Sequence, residues 1–166
     1  MIEDAAAKLQ GELRWNIKSR FREYVRSLPD GAERWISGPG GIEPESIAFG
    51  LDSASSFDSR SGLGILKFAG SIRFEGYHGA LRVDISDPWI EIEGEKTQLT
   101  VNRSPQGLSP SRVAIAIAST LPASTSADRL TWEDVPTALT QHGSTLLGGV
   151  YPPGSEADPC SFWVST

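Results

Sequence analysis

The longest alternation of apolar and polar positions runs from Gly64 to Pro88 (GILKFAGSIRFEGYHGALRVDISDP). Leu66, Phe68, Ile72, Phe74 and His78 share one parity; Lys67, Ser71, Arg73 and Glu75 share the other. Successive strand residues point to opposite faces, so the pattern predicts a long strand with one buried and one wet face. Gly70 and Gly76 are expected to bend or bulge it. His78 closes the apolar parity. A buried imidazole needs a hydrogen-bond partner, most simply a backbone carbonyl or a buried hydroxyl. After Gly79 the apolar parity passes to Leu81, Val83 and Ile85, and further alternations follow at Ile90/Ile92, Thr97/Leu99/Val101 and Val113/Ile115/Ile117.

Nearer the N-terminus, Leu13, Trp15 and Ile17 alternate with Arg14, Asn16 and Lys18, a short strand pattern. The period changes at Ser19. Phe21, Tyr24, Val25 and Leu28 fall at i, i+3, i+4 and i+7, the apolar stripe of a helix, with Ser19 as its expected N-cap and Pro29-Asp30-Gly31 as its stop. A helix this short needs a sheet to lie on. Trp35-Ile36 and Ile47 to Phe49 read as brief strands, and Ser-rich Asp52 to Gly62 as a loop. A helical turn is expected within Trp132 to Thr140, and final strands at Leu146 to Tyr151 and Ser161 to Val164. Many short alternating strands separated by turns predict a mainly β fold, two packed antiparallel sheets of sandwich type with one or two short α-helices. Residues 1–11 read as a leader and 12–166 as a single domain.

Composition narrows the function. The 166 residues carry a formal net charge of -6 and no basic stripe, which argues against nucleic acid. Cys160 is the only cysteine, so an intramolecular disulfide and a Cys-based zinc site are excluded. No apolar run of about 18 residues occurs, hence no membrane span is expected. The N-terminus lacks the apolar core of a secretory signal. That leaves either a protein that stays in the cell or a trimmed chain, which the sequence does not separate. His78 and His142 are the whole imidazole supply, and no HExxH, phosphate loop or G-x-S-x-G motif is present.

What remains is Tyr24 on the helix stripe and His78 on the apolar face of the strand. If the helix covers that end of the sheet, phenol and imidazole can satisfy each other. A phenolate is a hard anionic oxygen that suits ferric iron, tyrosine is a recognised haem axial ligand, and a histidine bonded to its oxygen lowers the cost of ionising it.

The sequence resembles the Htaa domain family, the haem-binding modules of bacterial haem-uptake proteins. The matching stretches are Leu13 to Val25 (LRWNIKSRFREYV), Gly70 to Leu81 (GSIRFEGYHGAL), Ser86-Asp87-Pro88, Trp132 to Thr140 (WEDVPTALT), Gly148 to Gly154 (GGVYPPG) and Asp158 to Phe162 (DPCSF). The resemblance implies ferric haem b as cofactor, Tyr24 as its iron ligand, His78 as the hydrogen-bond partner of Tyr24, and Tyr151 near a haem propionate. Arg20 stands where the family has a small hydroxyl residue; there it either pairs a propionate or crowds the pocket. Tyr77 stands where a second His or a small polar residue is common, and by parity it points away from His78. The expected activity is capture or transfer of haem, without turnover, with a further haem-transfer protein as partner. The rival readings are a haem-dependent peroxidase or haem degrader, and a β-sandwich interaction module without the cofactor.

Overall fold

The computed structural model describes residues 10–103 and 111–166. The leader expected at 1–11 lies outside the described residues up to position 9, and Gly11 already opens a strand. The chain is mainly β: β1 (Gly11–Trp15), β2 (Ala32–Ser37), β3 (Gly40–Glu43), β4 (Ser46–Asp58), β5 (Leu63–Ala69), β6 (Ser71–Gly76), β7 (Leu81–Ser86), β8 (Trp89–Glu93), β9 (Lys96–Asn102), β10 (Arg112–Ala118), β11 (Ser124–Thr125), β12 (Arg129–Leu139) and β13 (Glu156–Ser165). Two helices, α1 (Ser19–Ser27) and α2 (Gln141–Leu146), accompany them.

There are two antiparallel sheets, but the larger one is not an open layer. Its strands run β1-β13-β12-β10-β9-β8-β5-β4, and β4 pairs back onto β1 through Glu12↔Gly50, Leu13↔Phe49 and Arg14↔Ala48. Eight strands thus close into a barrel, with β3 and β11 as short additions on β4 and β12. A closed sheet has no free edge and fills its interior with inward side chains. Leu13, Phe49, Leu66, Phe68, Leu99, Val101 and Cys160 are completely buried there. The expected sandwich is therefore corrected to a barrel capped by a second, three-stranded sheet, β2-β6-β7.

Gly70 makes the division. The alternation from Gly64 onwards is not one strand: β5 belongs to the barrel and β6 to the small sheet. Gly70 sits between them at φ +133°, and a Cβ there would meet the Trp35 ring at 2.7 Å. Only glycine allows both the backbone angle and the close approach. Parity survives the switch, because Ile72 and Phe74 remain fully buried, Phe74 against Phe21 of α1.

Three other expectations change. The Ser-rich stretch is strand as far as Asp58, with register shifts after Leu51 and Ser53. Trp132 to Leu139 is strand, not helix; Pro136 is accommodated where the β12–β13 register shifts between Val135 and Thr137. The second helix comes afterwards, at Gln141–Leu146, capped by Thr140, whose hydroxyl accepts from the Gly143 amide at 3.0 Å. Leu146 to Tyr151 is consequently a helix end and a glycine turn in place of a strand.

Candidate functional site

Helix α1 carries the site, and three contacts fix it. Phe21 and Val25 are buried, and Phe21 meets Phe74 of β6 edge to face at 5.3 Å between centroids. Each such side chain contributes about 1.5–3 kcal/mol on burial. The expected Ser19 cap takes a different form. The cap position is Lys18, whose side chain makes no cap bond, and the carboxylate of Asp158 on β13 receives both the Ser19 amide, at 2.8 Å, and the Ser19 hydroxyl. An anion at a helix N-terminus satisfies orphan N–H groups and complements the dipole. Third, Arg22 is 2 % exposed and donates to Glu33 of β2 at 2.6 and 3.1 Å, to Asn16 Oδ1 at 3.0 Å and to the Glu43 carbonyl at 2.9 Å. All of this locks the helix to the small sheet and to the barrel end.

Tyr24 faces the other way. It is 42 % exposed, so it is not part of the buried stripe. Its hydroxyl lies 2.6 Å from that of Tyr77, which is 51 % exposed. Tyr151, in the turn after α2, is near enough for its phenol to act electrostatically on Tyr24, and the Arg20 charge acts on Tyr151 in turn. Lys18 Nζ sits 4.7 Å above the Tyr151 ring. All three tyrosines of the chain thus converge on one surface beside two cations. The hydrogen bond to Tyr77, then desolvation, raise the Tyr24 pKa above the usual phenol value. Burial raises that of Tyr151, while Arg20 opposes the rise. Arg20 and Tyr24 are four residues apart, hence on one helix face.

The histidine is not where parity placed it. Tyr77, His78 and Gly79 form a single 3-10 turn after β6, and Tyr77 and His78 both adopt left-handed backbone angles, φ 50° and 54°. Two consecutive non-glycine residues in that region are strained. Asp30, in the turn after α1, holds them: its carboxylate accepts the Tyr77 amide at 3.0 Å and the His78 amide at 2.6 Å. These bonds hold the Asp30 carboxyl below its ordinary range, the His78 amide foremost. The His78 side chain is 96 % exposed, with Asp30 3.7 Å from Nδ1. The expectation of a buried His78 bonded to Tyr24 is corrected: the strand ends at Gly76, parity does not continue through the turn, and Tyr77 delivers its hydroxyl to Tyr24. Sequence reasoning passed over Tyr77 by carrying a period of two past a glycine. The Gly-Tyr-His-Gly spacing is the signal that could have found it.

The described residues contain no group of three or more His, Cys, Asp or Glu side chains placed to hold a metal ion. None of the described helices is long and apolar enough to cross a membrane.

The Htaa family model matches residues 10–163. The chain belongs to the Htaa family. Among solved structures this Htaa chain is similar to the C-terminal domain of HtaA from Corynebacterium glutamicum, with 23 % identity, a TM-score of 0.79, and coverage of 94 % of this chain and 96 % of that one. It is also similar to the N-terminal domain of the same protein (22 %, TM-score 0.74, coverage 94 % and 96 %). A third similar structure is the heme binding protein HtaB from that organism (16 %, TM-score 0.66, coverage 95 % and 94 %). These likenesses establish a shared fold. No curated protein matches the chain.

Proposed function

We propose that this Htaa domain binds ferric haem b as cargo and passes it to a further haem-transfer protein, with the Tyr24 phenolate as axial ligand to the iron. The observation that carries the reading is the tyrosine cluster: a half-exposed Tyr24 phenol on α1, already hydrogen-bonded to Tyr77 at 2.6 Å, with Tyr151 nearby under Lys18 and within reach of the Arg20 charge. The family membership and the name of HtaB support it. The donor set fits the group. Iron in a porphyrin already has four nitrogen ligands and needs one hard oxygen donor, which suits a single tyrosine better than a multidentate cluster.

Each residue then has a role. Tyr24 gives up its phenolic proton on binding. Tyr77 donates its hydroxyl hydrogen to the phenolate that remains, taking the part expected of a histidine. Arg20, on the same helix face as Tyr24, meets a propionate, and Tyr151 offers its hydroxyl to the same end of the porphyrin. His78 keeps a place at the solvent rim, one residue beyond Tyr77. Capture and release need no turnover, so no enzymatic step is proposed.

Tyr24→Phe tests the reading. The ring packing stays and the oxygen goes. Hemin added to the parent should give a ferric high-spin phenolate spectrum that the variant lacks. Parental absorption in Tyr24→Phe would overturn the assignment, and no spectral change in either protein would leave a β-barrel interaction module without the cofactor.

A further inference from the structure

The small sheet, α1 and α2 all gather at one end of the barrel, because the chain leaves and re-enters the large sheet there, after β1, β5, β12 and before β8 and β13. Among the described residues the opposite end carries turns and the two-residue β11: residues 59–62 between β4 and β5, Gly94 between β8 and β9, and the segment after β10. A cavity of about 460 Å³ opens at this end. That volume is within the range of about 300–1,000 Å³ usual for small-molecule sites, which favour barrel mouths.

The cavity has an apolar floor and a polar lip. Its floor is Trp132 and Phe162, stacked at 4.6 Å with an interplanar angle of 17°, and Leu130, Val135 and Ile92 complete it. Phe57 meets Trp132 edge to face at 6.0 Å from outside the lining. The middle of the barrel is sealed, with Leu66, Phe68, Leu99 and Cys160 fully buried, whereas Ile92, Leu130 and Trp132 retain some exposure. Packing therefore stops short of the mouth. Two large apolar side chains at the lip, Leu63 and Leu121, are 40 % and 43 % exposed. Between them stand serine and threonine hydroxyls and one charged residue, Arg60. The Arg60 amide donates to Asp58 Oδ1 at 3.0 Å, but its guanidinium forms no ion pair with a described residue. A cation with no ion-pair partner among the described residues, at the lip of an apolar cavity, complements a ligand with an apolar body and an anionic head.

We propose that the open mouth of the barrel is a second binding site, separate from the tyrosine cluster, for an apolar carboxylate of the medium-chain fatty acid class. The alkyl chain lies against Leu63 and Leu121 at the lip and reaches down to the small exposed part of Trp132, and the carboxylate takes the Arg60 guanidinium and the hydroxyls beside it. The site does not depend on the haem reading, since no residue of the tyrosine cluster lines it.

The test is a calorimetric titration of the full chain with hexanoate, octanoate and decanoate, with tryptophan emission followed in parallel. Saturable binding is expected, tightening by up to about fourfold per added methylene, the fold-change of about 0.8 kcal/mol per buried CH₂. Arg60→Gln should weaken decanoate by about two- to fivefold, as an exposed ion pair would, and leave decanol unchanged. Leu63→Glu, at an exposed position, should weaken decanoate more than decanol by placing a like charge at the lip. Tyr24→Phe should bind decanoate as the parent does. No saturable binding, the same affinity at all three chain lengths, or an Arg60→Gln profile identical to the parent would overturn the proposal. Loss of decanoate binding in Tyr24→Phe would also overturn it, by placing the ligand on the tyrosine surface.

Discussion

Tyr77→Phe removes one oxygen from the tyrosine cluster and keeps the ring. In the parent that oxygen is 2.6 Å from the Tyr24 hydroxyl, and the bond acts in two opposed directions. Before iron arrives it joins two neutral phenols and helps hold Tyr24 above its ordinary pKa, which resists ionisation. In the proposed complex Tyr24 would be a bound phenolate and the same hydroxyl would donate to an anion, and charge-assisted bonds are roughly twice as strong as neutral ones. Neutral hydrogen bonds shift an equilibrium by about 2- to 12-fold net, and bonds to charged groups by about 12- to 150-fold. Both phenols are about half open to water, so the lower ends apply, and their ratio is about six. Hemin should therefore leave Tyr77→Phe about five- to tenfold faster than the parent, measured by transfer to an apo-acceptor.

The haem-free protein gives an independent reading of the same bond. Removing the leading cause of the raised Tyr24 pKa should bring the phenol titration, followed at the tyrosinate band, to lower pH. The sign for stability follows. A phenol whose folded pKa is raised favours the folded chain fully below about pH 10 and loses that contribution as pH rises through the folded value. Tyr77→Phe should lose this alkaline component. Between pH 5 and 8 a phenol–phenol pair supplies no titration step, since free phenols ionise near pH 10. Transfer should thus lack a histidine-shaped profile, and His78→Ala should follow the parent. A Tyr77→Phe protein with parental transfer rate and parental phenol titration would refute this reasoning. A pH step in the imidazole range that disappears in His78→Ala would return the role to the histidine.

Other consequences are simpler to measure. Arg22→Ala strips a nearly buried Glu33 of its main partner; removing one member of a buried pair costs about 3–5 kcal/mol, and Arg26 at 3.6 Å keeps the effect near the lower figure. Urea unfolding should show that loss, with the hemin spectrum of the folded fraction unchanged. Asp30→Asn cannot accept both amides of the left-handed turn equally, so Tyr77 should be held less well and hemin lost about two- to tenfold faster. In the parent, the lowered Asp30 pKa means its contribution is in force above about pH 4 and is lost as pH falls through the folded value; this acid component should be absent from Asp30→Asn. Cys160 is buried and its thiol is pushed up to about 12, so a thiol reagent at pH 8 should leave the folded protein unmodified and react once it is unfolded.

Local patterns in the sequence were read well where burial alone decides them. The Phe21/Val25 face of α1 and the Ile72/Phe74 face of β6 are buried as their periods required. Barrel closure was not legible, because it depends on β1 pairing with both β13 and β4, and a period of two states which face is apolar but not which sheet a strand joins. Trp132 to Thr140 read as holding a helical turn and the Ser-rich stretch from Asp52 as a loop, yet register shifts absorb Pro136 and the serines within long strands. Of the candidate site, the sequence named Tyr24, Arg20 and Tyr151, and the structure brings these three to one surface. The pattern misplaced Tyr77 and His78, where two left-handed residues follow the strand, and it gave no sign of Asp30 and Asp158, whose partners lie far away in sequence, or of the Arg22–Glu33 pair between α1 and β2.

Two carboxylates, Asp158 and Asp30, also bear on how haem would be oriented. Lys18 and Arg20 stand at the N-terminal end of α1, where the helix dipole is already positive and cations are unfavourable. Asp158 offsets this by placing its carboxylate on the first turn. Its oxygens are taken up by the Ser19 amide and hydroxyl, so the Arg20 charge stays available to an incoming anion. Arg20 precedes Tyr24 by four residues, about 6 Å along the helix at 1.5 Å per residue. In the proposed complex the positive end of the helix, its dipole and its cations would draw the propionates toward the first turn and leave the iron toward Tyr24, one turn later. Tyr77 approaches Tyr24 from a turn pinned by Asp30, whereas Tyr151 follows two glycines at φ 95° and 76°. On the proposed reading the iron side would be fixed by α1 and Asp30, and adjustment to the propionates would fall to the Gly148–Tyr151 turn. Stiffening that turn should alter hemin association more than the iron spectrum, which Tyr24 and Tyr77 govern.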